Sequence, residues 1–311
     1  MNKKQIIDNE LNKLQNAHRL EERRAKAEIL RARNIPEYCT IDDEIRKIRL
    51  NLGKLDEKSQ EIKQLEKELS ILQKKSEQIL KAHKINPANL LVHEICPKCN
   101  DTGYIENTMC ECLKINVQKA LIAQSGINGK LNFDFSKSDT KLLEQNTQLA
   151  KIHRFAQNYC ENFPHNKETN LIFWGEVGTG KTFLLECIAN ELLNKLHYVV
   201  FSTAYDISKS MVKAYNSPYN ERDTILAPLF ECDLLIIDDL GTEPLFHEST
   251  LTNLFTLINE RQRNNKPIIY STNLTPEQID ERYGNRIKSR IFNDRITMPI
   301  KFSGFDLRLK K

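Results

Sequence analysis

Apolar positions in the first 92 residues fall at helical spacing. Ile41, Ile45, Ile48, Leu52, Leu55, Ile62, Leu65, Leu69, Leu72 and Ile79 follow steps that are mostly three, four or seven. That is the spacing of a coiled-coil seam. The step from Ile62 to Leu65 breaks the heptad by one residue, a local stammer. Residues 3–33 carry a weaker helical pattern, and Pro36 separates the two stretches. The pattern predicts a helical hairpin or coiled coil over 1–92, suited to gripping a partner; a solvated helix packed on the rest of the chain would give the same pattern. Residues 126–165 hold a Gly/Asn turn, a Phe133-Asp134-Phe135 patch and a helix-like stretch from about Lys141 to Asn162. After Pro164 the pattern changes. Short apolar runs at Leu171–Trp174, Tyr198–Phe201, Leu234–Ile237, Ile268–Tyr270 and Ile296–Met298 alternate with helical stretches. Buried parallel strands read as continuous apolar runs. The intervening lengths suit crossover helices, so an α/β parallel sheet is expected.

The 311 residues leave room for two or three domains, at ~100–200 residues each. Lys plus Arg is 46 and Asp plus Glu is 42. That balance excludes a polybasic nucleic-acid tail and an acidic disordered domain. No run approaches the ~18 apolar residues of a membrane span. The start, MNKKQIIDNE, has no apolar h-region, so a cytoplasmic protein without membrane contact is expected. Cytosolic thiols stay reduced, which turns attention from disulfides to metal. Of eight cysteines, Cys39, Cys160, Cys187 and Cys232 are scattered, but Cys96, Cys99, Cys110 and Cys112 fall within seventeen residues. Four thiolates can close a tetrahedral structural zinc site with no open position for catalysis. A small four-cysteine zinc-binding segment over 93–126 is expected. C-x-C is the less common second pair, which leaves His93 as an alternative ligand. An iron–sulfur cluster and four free thiols are the other readings.

Gly175-Glu176-Val177-Gly178-Thr179-Gly180-Lys181-Thr182 fits G-x-x-x-x-G-K-[ST] at every fixed position. An apolar strand precedes it and a helical stretch follows, the context in which such a loop cradles phosphates. The glycines let backbone N–H groups point inward, and the helix N-terminus adds partial positive charge. Lys181 is expected on the β- and γ-phosphates of ATP, and the Thr182 hydroxyl on Mg²⁺. Leu234–Ile237 ends in two carboxylates. Asp238 is the expected second magnesium residue, direct or through water. Asp239 is placed to polarise the attacking water.

The phosphate loop, the Leu234–Gly241 stretch, the Ser271-Thr272-Asn273 strand end and the Arg286–Arg290 helix occur in the order seen in AAA+ ATPases. Over about residues 130–311 the chain resembles the replicative-helicase loaders of the DnaC/DnaI type. The IstB-type transposition helpers belong to the same clade. The resemblance implies that Asn273 is the sensor-1 residue near the γ-phosphate, though an Asn capping the turn before Pro276 is the other reading. It implies that Arg290 is an arginine finger acting on ATP of a neighbouring subunit in a homo-oligomer, with Arg286 one turn earlier as the other choice. Arg308 resembles a sensor-2 arginine. Only about eleven residues follow Ile300, too few for a helical lid, as in the lidless loaders. Asp239 stands where the wider class has Glu, so slow, switch-like hydrolysis is expected.

In this clade the Thr203–Tyr215 crossover contacts single-stranded DNA. Tyr205, Lys209, Lys213 and Tyr215 offer stacking faces and cations for that contact. The other reading is an ordinary amphipathic crossover helix. The whole is read as an AAA+ ATPase domain over 127–311, without a large lid, behind the helical and zinc segments. The expected function is helicase loading, with the replicative helicase as partner; the alternative is an ATP-binding helper whose partner is a transposase.

Overall fold

The computed structural model describes residues 2–54, 60–126, 133–139, 143–144, 146–244, 247–304 and 306–307. Two compact units emerge: 11–113, and 1–10 together with 114–311. The sequence-drawn borders at 92 and 126 differ from these.

The first unit is largely helical. Helix α1 spans Lys3–Arg33, α2 spans Pro36–Leu52 and α3 spans Gln60–Ala82. Pro36 sits in the first turn of α2, where its missing N–H costs nothing. The apolar positions over 41–79, read as a helical hairpin or coiled coil, do not fall on one helix. Two helices, α2 and α3, pack on each other there. Gly53 closes α2 by donating its N–H to Arg49 O at 3.1 Å. The heptad break at Ile62 therefore falls after a chain reversal, where no register has to continue. Ala32, Tyr38, Leu80 and Ile85 bury together at one end of this helical set.

The cysteine segment belongs to the same unit. Strands β1 (Tyr104–Ile105) and β2 (Thr108–Met109) form a small antiparallel hairpin. Helix α4 (Glu111–Gln124) follows it. Asp101 is buried at 2% exposure. It accepts from the N–H groups of Ile95 (3.0 Å) and Cys96 (2.7 Å) and pairs with His18 Nδ1 at 3.0 Å. Burial alone would raise its carboxyl; those partners outweigh it and hold the group below its ordinary value. The cysteine loop is thus tied to α1, the tertiary reason why one unit takes in both segments.

In the second unit, helix α5 (Thr147–Asn162) begins at Asn146, whose side chain accepts from Leu149 N–H. The expected start near Lys141 falls partly outside the described residues. Five strands follow: β3 (Asn170–Gly175), β4 (Val199–Thr203), β5 (Leu234–Leu240), β6 (Ile268–Thr272) and β7 (Thr297–Phe302). All five expected runs become parallel strands of one sheet, in the order β4-β5-β6-β3-β7. Leu171, Ile172 and Phe173 on β3 and Leu234–Ile237 on β5 are fully buried, which is why these runs carry no polar alternation.

The crossovers are α6 (Lys181–Asn194), α7 (Ala204–Asn216), α8 (Tyr219–Glu231), α9 (His247–Arg263), α10 (Pro276–Tyr283) and α11 (Asn285–Ile291). Two helices, not one, link β4 to β5, because Pro218 ends α7's run and opens α8. Arg261 is fully buried. It donates to the carbonyls of Leu229, Phe230, Cys232 and Pro267, joining the end of α8 to the start of β6. Strand order puts β6 between β3 and β5. The chain ends of those three strands therefore share one edge, and ligands of open α/β sheets bind at such a place.

Candidate functional site

The loop after β3 turns on glycines. At Gly175, φ is +132°, and a Cβ would lie 2.0 Å from Phe302 O on β7. At Gly178, φ is +74°, and a Cβ would meet the Asp306 carboxylate. No other residue fits both the backbone angle and the space. Thr179 Oγ1 donates to Glu176 O at 2.8 Å, closing the turn. Glu176 N–H donates to Phe302 O, and Gly304 N–H donates to Glu176 Oε2. Val177 is exposed beside them. Gly180 takes a left-handed conformation at the N-cap of α6. Lys181 is 6% exposed. Its Nζ donates to Gly175 O at 2.9 Å and Glu176 O at 2.6 Å, which fixes the ammonium at the loop.

The acidic pair arrives from β5. The register between β5 and β6 shifts between Ile237 and Leu240, and Asp239 takes a φ of +52°. Such a bulge turns successive side chains out of the regular alternation. Asp238 is 4% exposed. Its Oδ1 accepts from Thr182 Oγ1 at 3.4 Å and from Ser271 Oγ. Ser271 Oγ in turn accepts from Asp239 N–H at 3.0 Å. Burial pushes the Asp238 carboxyl up; the Ser271 and Thr182 hydroxyls work against that, and the Asp239 charge adds to it. A buried carboxylate beside a second one is favourable terrain for a cation.

Part of this set lines one cavity of about 630 Å³. Gly178, Gly180, Lys181 and Thr182 line one part; Asp239, Thr242 and Asn273 line another. Phe133, Leu143, Leu149 and Val177 supply an apolar part, with the Phe133 and Phe183 rings 5.1 Å apart. Ser138 Oγ lies 2.6 Å from His153 Nε2 at the same wall. Burial pushes the His153 imidazole down, toward the neutral form. The volume and its mixed walls suit a nucleoside triphosphate with magnesium. Thr182 Oγ1 and the Asp238 carboxylate are oxygen donors, the chemistry Mg²⁺ takes.

Asn273 does not cap the next helix. Thr275 does, in a capping box with Gln278. Arg290 stands away from this cavity. Its Nε donates to Asn259 Oδ1 at 3.1 Å, and its guanidinium lies 5.5 Å from the Phe255 ring centre. Arg286 stacks on the same ring at 3.8 Å and is exposed. Arg308 lies outside the described residues.

The cysteine sulfurs of Cys96, Cys99, Cys110 and Cys112 all lie within 4.8 Å of one another. Cys96 to Cys110 is 3.8 Å and Cys99 to Cys112 is 3.6 Å. Zinc–sulfur bonds of ~2.3 Å give tetrahedron edges of ~3.8 Å. The donor set therefore fits one zinc ion, and the sulfurs are too far apart for disulfides. The backbone N–H of Cys99, then that of Lys98, holds the Cys96 thiol down to about 7, while burial pushes Cys99 and Cys112 up. His93 is not of this group: its Nε2 lies 3.0 Å from Ala88 O.

Three features escaped sequence reasoning. Ser271 bridges the acidic pair; the sequence marked it only as part of the Ser271-Thr272-Asn273 strand end. Glu243 is buried at 2% exposure. It accepts from Gly241 N–H and Tyr283 OH, and its carbonyl accepts from Arg282, tying the β5 exit to α10. Glu186 lines the cavity from α6.

Helix α7 buries Ala204, Ile207, Ser208, Met211 and Ala214. Tyr205, Lys209, Lys213 and Tyr215 face outward, with Tyr215 74% exposed and Tyr219 at the start of α8 83% exposed. No described helix is long and apolar enough to cross a membrane.

The sequence profile of the bacterial DnaA ATPase domain family matches residues 139–297, just over half of the chain. The replicative helicase loader DnaC of Escherichia coli (strain K12) is 26% identical over 187 residues, covering 56% of this chain and 75% of that protein. The phage-like element PBSX protein XkdC of Bacillus subtilis (strain 168) is 27% identical over 213 residues, covering 62% and 77%. The chromosomal replication initiator protein DnaA of Mycoplasma genitalium (strain ATCC 33530 / DSM 19775 / NCTC 10195 / G37) is 28% identical over 191 residues, covering 57% and 40%. A crystal structure of the DnaC helicase loader overlaps with a TM-score of 0.49 at 19% identity, covering 55% of this chain and 97% of that one.

Proposed function

The chain belongs to the bacterial DnaA ATPase domain family and is an AAA+ protein of the DnaC/DnaI type, and from that premise we propose that it is an ATP-driven loader of a replicative DNA helicase. The observation that carries this reading is the shared cavity in which Lys181, Thr182, Asp239 and Asn273 meet, with Asp238 hydrogen-bonded to Thr182. Relatives named for helicase loading and replication initiation favour the loader over the transposition helper. The test uses the full chain with the replicative helicase of its own cell. ATP-dependent transfer of the helicase onto circular single-stranded DNA is expected. Equal transfer without nucleotide would reject the reading.

In this reading the adenine rests between the Phe133–Phe183 pair and the apolar wall. Gly175–Gly180 present backbone N–H groups to the phosphates. Lys181 neutralises the β- and γ-phosphates; Thr182 with Asp238 would hold magnesium, which would supply charge stabilisation for the transferred phosphoryl group. Asp239 accepts a proton from the attacking water, and Asn273 orients that water against the γ-phosphate. Arg290 reaches the ATP of the next subunit in a homo-oligomer. The shorter Asp239 in place of Glu makes turnover slow, as suits a switch. Arg308 is kept as a sensor-2 residue. Cys96, Cys99, Cys110 and Cys112 hold zinc, and the helical unit around them grips the helicase. The protein works in the cytoplasm.

Lys181→Ala is expected to weaken binding of a fluorescent ATP analogue at least about a hundredfold, since each lost charge-assisted hydrogen bond costs ~1.5–3 kcal/mol. Asp239→Asn is expected to bind ATP like wild type and not hydrolyse it. An equal loss of binding would make Asp239 a metal residue instead. Tyr205→Ala with Tyr215→Ala is expected to lower affinity for single-stranded DNA tenfold or more, at ~1–3 kcal/mol per stacked base. Unchanged filter binding would return α7 to the role of a plain amphipathic crossover.

A further inference from the structure

Glu186 lies on the partly exposed stripe of α6, with Thr182 and Asn190. Its neighbours Leu185 and Cys187 are fully buried, as are Ile188 and Ala189. It stands four residues after Thr182, which puts both side chains on one helix face. It lines the cavity that Lys181, Thr182 and Asp239 line. Its Oε2 is buried with no hydrogen-bond partner among the described residues. Such an oxygen is costly unless a ligand, ion or water satisfies it. Burial pushes the Glu186 carboxyl up, and the nearby Asp238 charge adds to that.

We infer that Glu186 is a further positioning residue of the magnesium site, accepting a hydrogen bond from a water of the ion's hydration shell. The inference rests on the ATP–magnesium reading of the loop. Magnesium keeps several waters when only one or two protein groups bind it. Those waters need acceptors fixed in place, and Glu186 supplies one from the helix side. The orphaned oxygen and the proximity to Asp238 then have one explanation.

The test measures binding of a fluorescent ATP analogue to the full chain, first in EDTA and then across a magnesium titration. Wild type, Glu186→Gln and Glu186→Ala are compared. Losing an outer-shell partner costs about 10–100-fold in metal affinity. The magnesium midpoint is therefore expected to rise tenfold or more for Glu186→Ala and by less for Glu186→Gln. Binding in EDTA should hold or tighten, since a negative charge has left the phosphate site. Midpoints equal to wild type in both variants would overturn the inference. A parallel loss with and without magnesium would also overturn it, by showing that Glu186 only supports the helix. The two readings fail separately: a wild-type protein whose nucleotide binding ignores magnesium would take down the metal site itself, and Glu186 with it.

Discussion

Protein with Cys96 and Cys99 both changed to serine is expected to purify without zinc, with residues 93–112 open to protease, while still binding ATP. The wild-type chain should carry one zinc ion by elemental analysis. The motivation is geometric: four sulfurs within 4.8 Å of one another, with pair distances of 3.8 and 3.6 Å, match a zinc tetrahedron. A two-strand hairpin and a tight loop bury little else, so the metal carries the local fold. Zinc-finger peptides gain ~10–16 kcal/mol from their metal, far more than a segment this small can gain by packing. Without a cation, burial and neighbouring sulfurs oppose ionisation of Cys112. The damage should spread to α1, because Asp101 links the Cys96 amide to His18. Nucleotide binding should survive, since every cavity residue lies at or beyond Phe133. Iron in place of zinc would reject the structural-zinc reading. Full protease resistance in the metal-free double variant would show that packing alone holds the segment.

Arg290→Ala is expected to bind ATP normally and hydrolyse it about a thousandfold more slowly, the scale of losing a cation at a phosphoryl-transfer transition state. Mixing it with Lys181→Ala should restore part of the activity. The first variant offers an intact phosphate loop and the second an intact finger, so a mixed interface regains one complete site. Arg290 is absent from the cavity that holds Lys181 and is fastened to α9 through Asn259, as fits a residue presented to a neighbour. Arg286 is the more exposed of the two and stacks on Phe255. Arg286→Ala is run beside it. Loss in that variant alone moves the finger one turn back along α11. Normal hydrolysis in both would remove the finger from this helix. Loss without recovery on mixing would place the cation's action within its own chain.

The sequence by itself determined the nucleotide fold. Five apolar runs became five parallel strands because a strand buried on both faces tolerates no polar alternation, and that leaves a direct mark on the chain. The phosphate loop was legible for a similar reason: Gly175 and Gly178 sit at positive φ with no room for a Cβ, so the backbone itself dictates the residue. The cysteine spacing was legible because a metal site draws its ligands from a short stretch. Tertiary structure alone decided the rest. Periodicity measures which face of a helix is apolar, not what covers it, so the 41–79 pattern could not tell one long coiled coil from α2 folded against α3. Ser271 hydrogen-bonds Asp238, 33 residues away, and Glu243 hydrogen-bonds Tyr283, 40 residues away; the Asp238 charge that acts on Glu186 lies 52 residues away. A hydrogen bond across such a gap has no spacing rule for a sequence to display; it exists only because strand order lays β6 between β3 and β5.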